Sequence, residues 1–246
     1  MKILAMKKWM LALLLLPVLA FASEEATLEK APINPNNQAS LQRGARTFVN
    51  YCLNCHSANY MRYNRLMDIG LTADQIKANL LFAGEKVGNP MTVAMPHKEA
   101  KGWFGTAPPD LSVEARSRSA DWLYGYLRGF YRDDTRPTGW NNTVYDKVAM
   151  PHVLWQLQGE QILKTEDKTD AHGEKIATHT LALDKPGSLT PAEYDATVAD
   201  LVNYLVFMAE PARNLRLQLG LLVLLFLSLM FIAAYYLKKE FWKDIH

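Results

Sequence analysis

An uncharged apolar run near the C-terminus restricts the chain to architectures that contain a membrane-spanning helix. The run covers residues 217–237, LQLGLLVLLFLSLMFIAAYYL, and carries no charged side chain over 21 positions. At 1.5 Å per residue a helix of this length reaches about 31 Å, which is enough to cross the hydrocarbon core of a bilayer. Apolarity on all sides of the helix favours a membrane span over a helix on the surface of a soluble domain. We predict an anchor helix over residues 213–237.

A shorter apolar run at the N-terminus has the pattern of an export signal. The 13-residue run WMLALLLLPVLAF follows two lysines and ends beside Ala-Phe-Ala, which suits signal-peptidase cleavage after Ala22. The run is too short to cross about 30 Å of hydrocarbon, so a cleaved signal is favoured over an uncleaved anchor. We predict a signal peptide over residues 1–22 and an exported domain over residues 23–212.

The charges of the chain give its orientation and exclude one class of partner. Export of the main domain leaves residues 238–246 in the cytoplasm, and the three lysines of this tail agree with the positive-inside bias. The formal net charge is +2, and removing the three positive charges of the signal peptide leaves about −1. A nucleic-acid-binding protein would normally be strongly basic, so we expect no nucleic-acid partner. The prediction is a single-pass protein of the bacterial inner (cell) membrane, with its main domain in the periplasm.

Both cysteines of the chain occur in one motif, CLNCH at residues 52–56. In an exported protein such a pair could form a disulfide, act as a redox dithiol or supply half of a zinc site. Zinc needs four ligands and there is no second cysteine pair, whereas a thioredoxin-like dithiol would follow a strand and residues 41–51 have helical apolar spacing. The motif therefore favours covalent attachment of a c-type haem, with thioethers at Cys52 and Cys55 and His56 as proximal iron ligand.

A haem of this kind usually needs a sixth ligand, and a methionine sulfur in that position raises the reduction potential. The candidates after the motif are Met61, Met67, Met91, Met95, Met150 and Met208. Met61 and Met67 are too close to the motif to reach the opposite face, and Met208 lies in an apolar helical stripe typical of a core residue. Met95 and Met150 each lie in the sequence Ala-Met-Pro-His, where the proline favours an extended loop. Local sequence does not separate these two candidates.

A proline-rich segment, APPDLS at residues 107–112, lies between the two candidate methionines and is predicted to form a stiff extended wall. Asp110 or Ser112 is placed to cap the helix that follows. Arg116 or Arg118 could pair with a haem propionate, although a solvated side chain is the simpler interpretation of either. Three aromatic residues that follow are expected to be core residues first and haem contacts second: Trp122, Tyr124 and Tyr126.

Two further segments are predicted to be scaffold. Residues 156–186 mix polar residues with short alternating runs, which predicts a hairpin insertion in which His172 and His179 are surface residues. The sequence TPAE at residues 190–193 is a capping box with proline at the first helical position. It opens a helix with one apolar stripe, and we expect this helix to cross the helix that precedes the motif.

The order of these motifs resembles that of the cytochrome c1 family, the haem subunit of the cytochrome bc1 complex (ubiquinol–cytochrome c oxidoreductase). The resemblance rests on CLNCH, on PPDLS followed by two arginines, on the later AMP loop and on the anchor, and it covers the chain from about Leu41 to its end. It implies a mainly α fold, a cytochrome c-like haem domain with loop and hairpin insertions plus one C-terminal transmembrane helix. It also implies an electron-transfer subunit, not catalytic by itself, that works with cytochrome b, accepts electrons from the Rieske iron–sulfur protein and passes them to cytochrome c.

The resemblance also assigns roles to individual residues. Cys52 and Cys55 match the thioether positions of one covalent haem c, and His56 matches the proximal ligand. Met150 matches the distal ligand, because that ligand follows the PPDLS segment in the family, whereas Met95 precedes it. The haem environment is implied to include Pro109 of the proline wall, Arg118 near a propionate, and Trp122 about where the family has a haem-side tyrosine.

Three other classes of protein share parts of this sequence pattern. A stand-alone, membrane-tethered c-type cytochrome that shuttles electrons to a terminal oxidase would carry the same motif, but many such shuttles keep an N-terminal anchor. A haem peroxidase needs an open sixth position, and the single CxxCH motif excludes a two-haem peroxidase. An exported dithiol–disulfide protein would hold no haem, so haem analysis of the purified chain separates it from the others.

Overall fold

Helices dominate the fold, which a computed structural model describes for residues 28–169 and 175–244. The predicted mainly α class is confirmed, and the strands of the described residues form three antiparallel pairs. The predicted signal peptide, residues 1–22, lies outside the described residues. The elements in chain order are α1 (Gln38–Thr47), a π-helical turn (Phe48–Cys52), β1 (Ala58–Arg62), a 3₁₀ helix (Tyr63–Ile69), α2 (Ala73–Asn79), β2 (Pro90–Met91), α3 (His97–Phe104), α4 (Glu114–Arg118), α5 (Ala120–Arg128), β3 (Phe130–Arg132), β4 (Trp140–Asn142), α6 (Trp155–Gln158), β5 (Gly159–Thr169), β6 (Lys175–Pro186), α7 (Pro191–Ala209) and α8 (Arg213–Phe241).

The helix before the CLNCH motif is α1, as the apolar spacing predicts. The side chain of Asn37 caps it by accepting a hydrogen bond from the backbone N–H of Ser40 (3.1 Å). Leu41 and Ala45, which lie one turn apart on the same face, are buried. The helix continues into the wider π-helical turn, which ends at Cys52. Because this turn interrupts the regular α-helix, it sets the direction in which the motif leaves the helix.

Helix α7 packs closely against α1, and this predicted contact is confirmed. The capping box forms as expected, since the backbone N–H of Thr190 donates to the Glu193 carboxylate (2.9 Å) and the Thr190 hydroxyl accepts from the Glu193 N–H (3.4 Å). The two helices approach so closely at Gly44 that a Cβ atom there would collide with the backbone of Asp200. The apolar stripe of α7 is buried at Val198, Leu201, Val202, Leu205 and Met208.

The proline-rich segment is bound to β1 and does not cap a helix, so the capping prediction for Asp110 and Ser112 is wrong. The Asp110 carboxylate accepts hydrogen bonds from the backbone N–H groups of Asn59 and Ser112 (both 2.8 Å), and the Ser112 hydroxyl accepts from the N–H of Tyr60 (3.0 Å). Helix α4 begins at Glu114 without a side-chain cap. The irregular pairing of β1 with β2 leaves the N–H groups of the bulged strand without strand partners, and these two side chains satisfy them.

The predicted hairpin is confirmed as β5 and β6. The two strands pair in antiparallel register from Gly159 opposite Pro186 to Thr169 opposite Lys175. His179 is exposed, as predicted, and its Nδ1 lies 3.0 Å from the Thr165 hydroxyl. His172 and the rest of the hairpin tip, residues 170–174, lie outside the described residues.

Helix α8 has the length and composition of a membrane anchor. Within Leu215–Phe241 the most apolar 18-residue stretch has a mean hydropathy of 2.5, and none of that stretch is buried against the rest of the protein. Between residues 28 and 244, apart from the hairpin tip, it is the one helix that meets these criteria. The predicted boundaries at residues 213, 237 and 238 stay predictions, because a helix can continue past the edge of the lipid.

Candidate haem-binding site

The CLNCH motif forms one tight turn at the end of the π-helical turn. The backbone N–H groups of Cys55 and His56 both donate to the carbonyl oxygen of Cys52, at 3.1 and 2.9 Å. Both cysteines are free thiols, with Cys52 buried and Cys55 half-buried. This turn therefore brings two thiols and an imidazole together on one short piece of backbone.

The environment of the thiols does not suit a redox dithiol. Burial raises the pKa of Cys52 to about 12, and burial also raises the pKa of Cys55. A reactive dithiol needs a thiolate, which is favoured where a cation or a helix N-terminus lowers the pKa of the cysteine. Both sulfurs of the motif are instead protonated at neutral pH, which argues against thiolate chemistry at this site.

The imidazole of His56 is oriented by the proline-rich segment. Its Nδ1 atom lies 2.8 Å from the carbonyl oxygen of Pro109, so Nδ1 carries the proton and donates it to this acceptor. Burial lowers the pKa of His56, although the Pro109 hydrogen bond and the nearby carboxylates of Glu114 and Asp110 oppose this shift. The ring is therefore neutral at neutral pH, and its Nε2 has no hydrogen-bond partner among the described residues. A hydrogen bond of this kind, from the far ring nitrogen to a backbone carbonyl, is the usual support of a metal-ligating histidine.

Ser57, the residue after the motif, brings two other segments to the same place. Its carbonyl oxygen accepts a hydrogen bond from the N–H of Leu111 (2.9 Å), and its hydroxyl accepts from the N–H of Val93 (3.0 Å). The first contact holds the proline-rich segment beside His56. The second contact holds the segment that contains Met95 beside the CLNCH motif. The Met95 side chain is half-buried.

Met150 lies in a different environment, on the side formed by α5 and β3. Its sulfur accepts a hydrogen bond from the hydroxyl of Tyr126 (3.4 Å), and its side chain packs against the buried cluster of Phe130, Trp140 and Val148. Among the described contacts, the Met95 sulfur has no such donor. Local sequence leaves Met95 and Met150 equal, and of these two only Met150 has a hydrogen-bond donor on its sulfur within the described part of the chain.

An arc of interacting side chains leads from Glu114, whose charge acts on His56, to Met150. Glu114, which influences the pKa of His56, forms a salt bridge with Arg118 (3.3 Å). The guanidinium carbon of Arg118 lies 4.9 Å from the ring centre of Trp122, and this ring stacks on Tyr126 at 4.8 Å, with an angle of 11° between the planes. The arc thus contains two of the three residues of the predicted haem environment, and Pro109 contacts His56 directly.

Two residues of this region have surroundings that the sequence does not predict. Tyr126 is predicted to be a core residue first and a haem contact second, and its spacing of four from Trp122 is the one signal that places both on the same helix face. His152 is the histidine of the second Ala-Met-Pro-His run, as His97 is of the first. His152 is buried with its ring 4.8 Å from that of Phe130, and its Nε2 has no partner among the described residues. Burial lowers the pKa of His152 to about 4, so it is uncharged at neutral pH.

The residues present fit a covalently attached haem. Two protonated thiols stand one turn apart, a neutral imidazole has its distal nitrogen free, and a thioether is oriented by a tyrosine hydroxyl. Imidazole and thioether are the axial ligands typical of c-type cytochromes.

Comparison with known proteins gives consistent results over nearly the whole chain. The sequence pattern of the Cytochrome C1 family matches residues 29–183 and 187–245. A protein named ammonia monooxygenase gamma subunit, from Nitrosomonas europaea, is 53% identical over 238 residues, which cover 96% of this chain and 97% of that protein. A cytochrome c1 from Allochromatium vinosum is 48% identical over 245 residues, covering 98% and 100%. A cytochrome c1 from Rhodospirillum rubrum is 27% identical over 240 residues, covering 85% and 83%.

Proposed function

Since this chain belongs to the cytochrome c1 family, we propose that it is the haem-bearing electron-transfer subunit of a respiratory cytochrome bc1 complex. The observation that carries this proposal is the hydrogen bond between His56 Nδ1 and the Pro109 carbonyl oxygen, because it leaves Nε2 of a neutral ring as a ready axial ligand. Membership of the family implies a covalently bound haem c. A single CxxCH motif supports one haem per chain.

The chain's own residues bind and orient the group. Cys52 and Cys55 would each form one thioether with the haem, and His56 and Met150 would ligate its iron. The haem supplies an iron that alternates between two oxidation states, and the protein sets its potential through ligation, burial and hydrogen bonds. Tyr126 positions the Met150 sulfur.

The proposed electron path runs from the Rieske iron–sulfur protein to this haem and then to cytochrome c, with cytochrome b as the membrane neighbour. The fit of α8 to a membrane anchor supports this arrangement, because it holds the haem domain at the membrane surface. With the predicted signal peptide, that surface is the periplasmic face of the inner membrane and the C-terminus is cytoplasmic.

Haem analysis of the purified full chain tests the proposal. We expect a pyridine-haemochrome spectrum of c-type haem and haem staining that persists on a denaturing gel. Cys52→Ser and Cys55→Ser should each weaken or abolish this staining, because each sulfur makes one thioether. Thr47→Ser, a substitution in α1 outside the motif, is the control and should stain normally. Normal staining of both cysteine variants would refute covalent attachment at this motif.

The name of the Nitrosomonas relative supports a second assembly, in which a chain of this kind accompanies an ammonia monooxygenase. Affinity purification of the tagged chain from gently solubilised membranes separates the possibilities. Co-purification of a haem b protein and an iron–sulfur protein would support the bc1 complex. Co-purification of monooxygenase subunits would support the second assembly, and recovery of the chain alone would support a tethered cytochrome shuttle.

A further inference from the structure

A basic cavity lies where the haem-binding domain meets the anchor helix. It has a volume of about 310 Å³, at the lower end of the range of small-molecule sites, about 300–1,000 Å³. Helices α4, α7 and α8 contribute its walls. The lining residues are Ala115, Arg116, Val206, Ala209, Glu210, Arg213 and Arg216.

The charge of this cavity is unbalanced. Glu210 neutralises Arg216 through a salt bridge of 2.6 Å. The side chains of Arg116 and Arg213 are exposed and form no hydrogen bond or ion pair with any residue that the structure describes. Two guanidinium groups from different helices therefore face one cavity without a counter-ion, leaving it with a formal charge of +2.

The position of the cavity identifies the kind of anion. Arg213 and Arg216 lie in the first turn of α8, and the apolar stretch of this helix begins at Leu215. The cavity therefore lies at the level at which phospholipid headgroups meet an anchor helix. Its apolar lining residues, Ala115, Val206 and Ala209, provide a surface for the glycerol and the first methylenes of a lipid. Arginine binds phosphate through paired N–H groups, which lysine cannot do.

We propose that this cavity binds the phosphate headgroup of an anionic phospholipid and so fixes the haem domain against the membrane surface. The inference requires only that α8 lies in a membrane, and it does not depend on which complex contains the chain. Arg116 is central to it, because this residue belongs to the haem-binding domain and lies two residues before Arg118 of the haem-side arc. A lipid phosphate between Arg116 and Arg213 would thus join that domain to the anchor.

The test measures binding of phosphatidylglycerol, with phosphatidylcholine as the zwitterionic comparison, to the full haem-loaded chain in detergent by native mass spectrometry. A basic residue near an anionic lipid surface contributes about a factor of five in affinity. We therefore expect the double variant Arg116→Gln/Arg213→Gln to bind phosphatidylglycerol roughly 30-fold more weakly. The weaker binding of phosphatidylcholine should not change. Lys98→Gln/Lys101→Gln, which removes two exposed charges from α3, is the matched control and should bind both lipids normally.

Three results would overturn the proposal. Equal phosphatidylglycerol affinity in the double variant and the wild-type chain would show that the cavity is not a lipid site. Full displacement of the lipid by millimolar inorganic phosphate would identify free phosphate as the ligand. Unchanged lipid affinity of the double variant, together with loss of neighbouring subunits when the tagged variant is purified from gently solubilised membranes, would assign the arginines to a protein interface. If the double variant does not fold, Arg213→Gln alone carries the test, with an expected loss of about fivefold.

Discussion

The hydrogen bond from Tyr126 to the Met150 sulfur gives a quantitative prediction for the haem potential. Replacing Tyr126 with Phe removes the hydroxyl and keeps the ring, which stacks on Trp122 and packs edge-on against Phe130. A hydrogen bond to the thioether withdraws electron density from the sulfur and makes it a weaker donor to oxidised iron. Its loss should therefore stabilise the oxidised state and lower the potential.

The size of this effect follows from the geometry of the contact. The O···S distance is 3.4 Å and a thioether is a weak acceptor, so we place this bond at the lower end of the usual net range, about 0.5–1 kcal/mol. A one-electron couple shifts by about 59 mV for each 1.4 kcal/mol, which gives a decrease of roughly 20–40 mV. Burial raises the pKa of Tyr126, so the hydroxyl stays protonated and the shift should be constant around neutral pH.

Redox titration of the purified haem-loaded chain measures the shift. Tyr124→Phe is the matched control, because Tyr124 is a buried tyrosine on the same helix whose ring faces Arg128, with 4.4 Å between the ring centre and the guanidinium carbon. The shift should also disappear in a Met150→Leu background, since the bond acts through the sulfur. An unchanged potential in Tyr126→Phe, an equal shift in Tyr124→Phe, or a shift that persists without Met150 would each refute the reasoning.

Three further predictions concern the ligand, the charge near the haem and the helix contact. Met150→Leu should keep the covalent haem but lose the far-red absorption band of methionine ligation and lower the potential strongly, whereas Met95→Leu should do neither. The reverse pattern would reverse the assignment, and no effect from either would point to a histidine ligand. Arg118→Gln should lower the potential by roughly 10–40 mV, the size expected for an exposed ion pair, and an unchanged potential would make Arg118 a surface residue only. Gly44→Ala should lower the free energy of unfolding by about 1–3 kcal/mol in denaturant titrations, because its Cβ would overlap the α7 backbone. Gly102→Ala, with open space around its Cβ, should not destabilise the protein, and equal effects of the two glycine variants would contradict the close contact.

Several elements could be predicted from the sequence because short-range patterns specify them. The apolar run of α8, the helical spacing before CLNCH, the capping box of α7 and the alternating hairpin each depend on residues within one element. The attachment motif is of the same kind, since the spacing of two cysteines and a histidine carries its chemistry. Each of these features could be predicted without knowing how the elements pack, and the structure is consistent with them.

The partners of the site residues depended on tertiary structure. The sequence offered Asp110 and Ser112 as helix caps, but the bulged strand β1 takes their hydrogen bonds. Arg116 and Arg118 were equivalent candidates for a propionate, and packing directs Arg118 to Trp122 and Arg116 to the cavity at the anchor helix. In each case the local sequence allowed two arrangements of the side chains, and contacts with a distant segment decided between them.

The two hydrogen bonds that define the candidate site are both of this long-range kind. His56 and Pro109 are 53 residues apart, and Tyr126 and Met150 are 24 residues apart. The sequence by itself determined which groups can attach and ligate a haem, because that depends on residue type and spacing. Only the fold decided which carbonyl orients the imidazole and which methionine receives a donor, because a partly buried polar group bonds to whatever partner the packed chain places beside it.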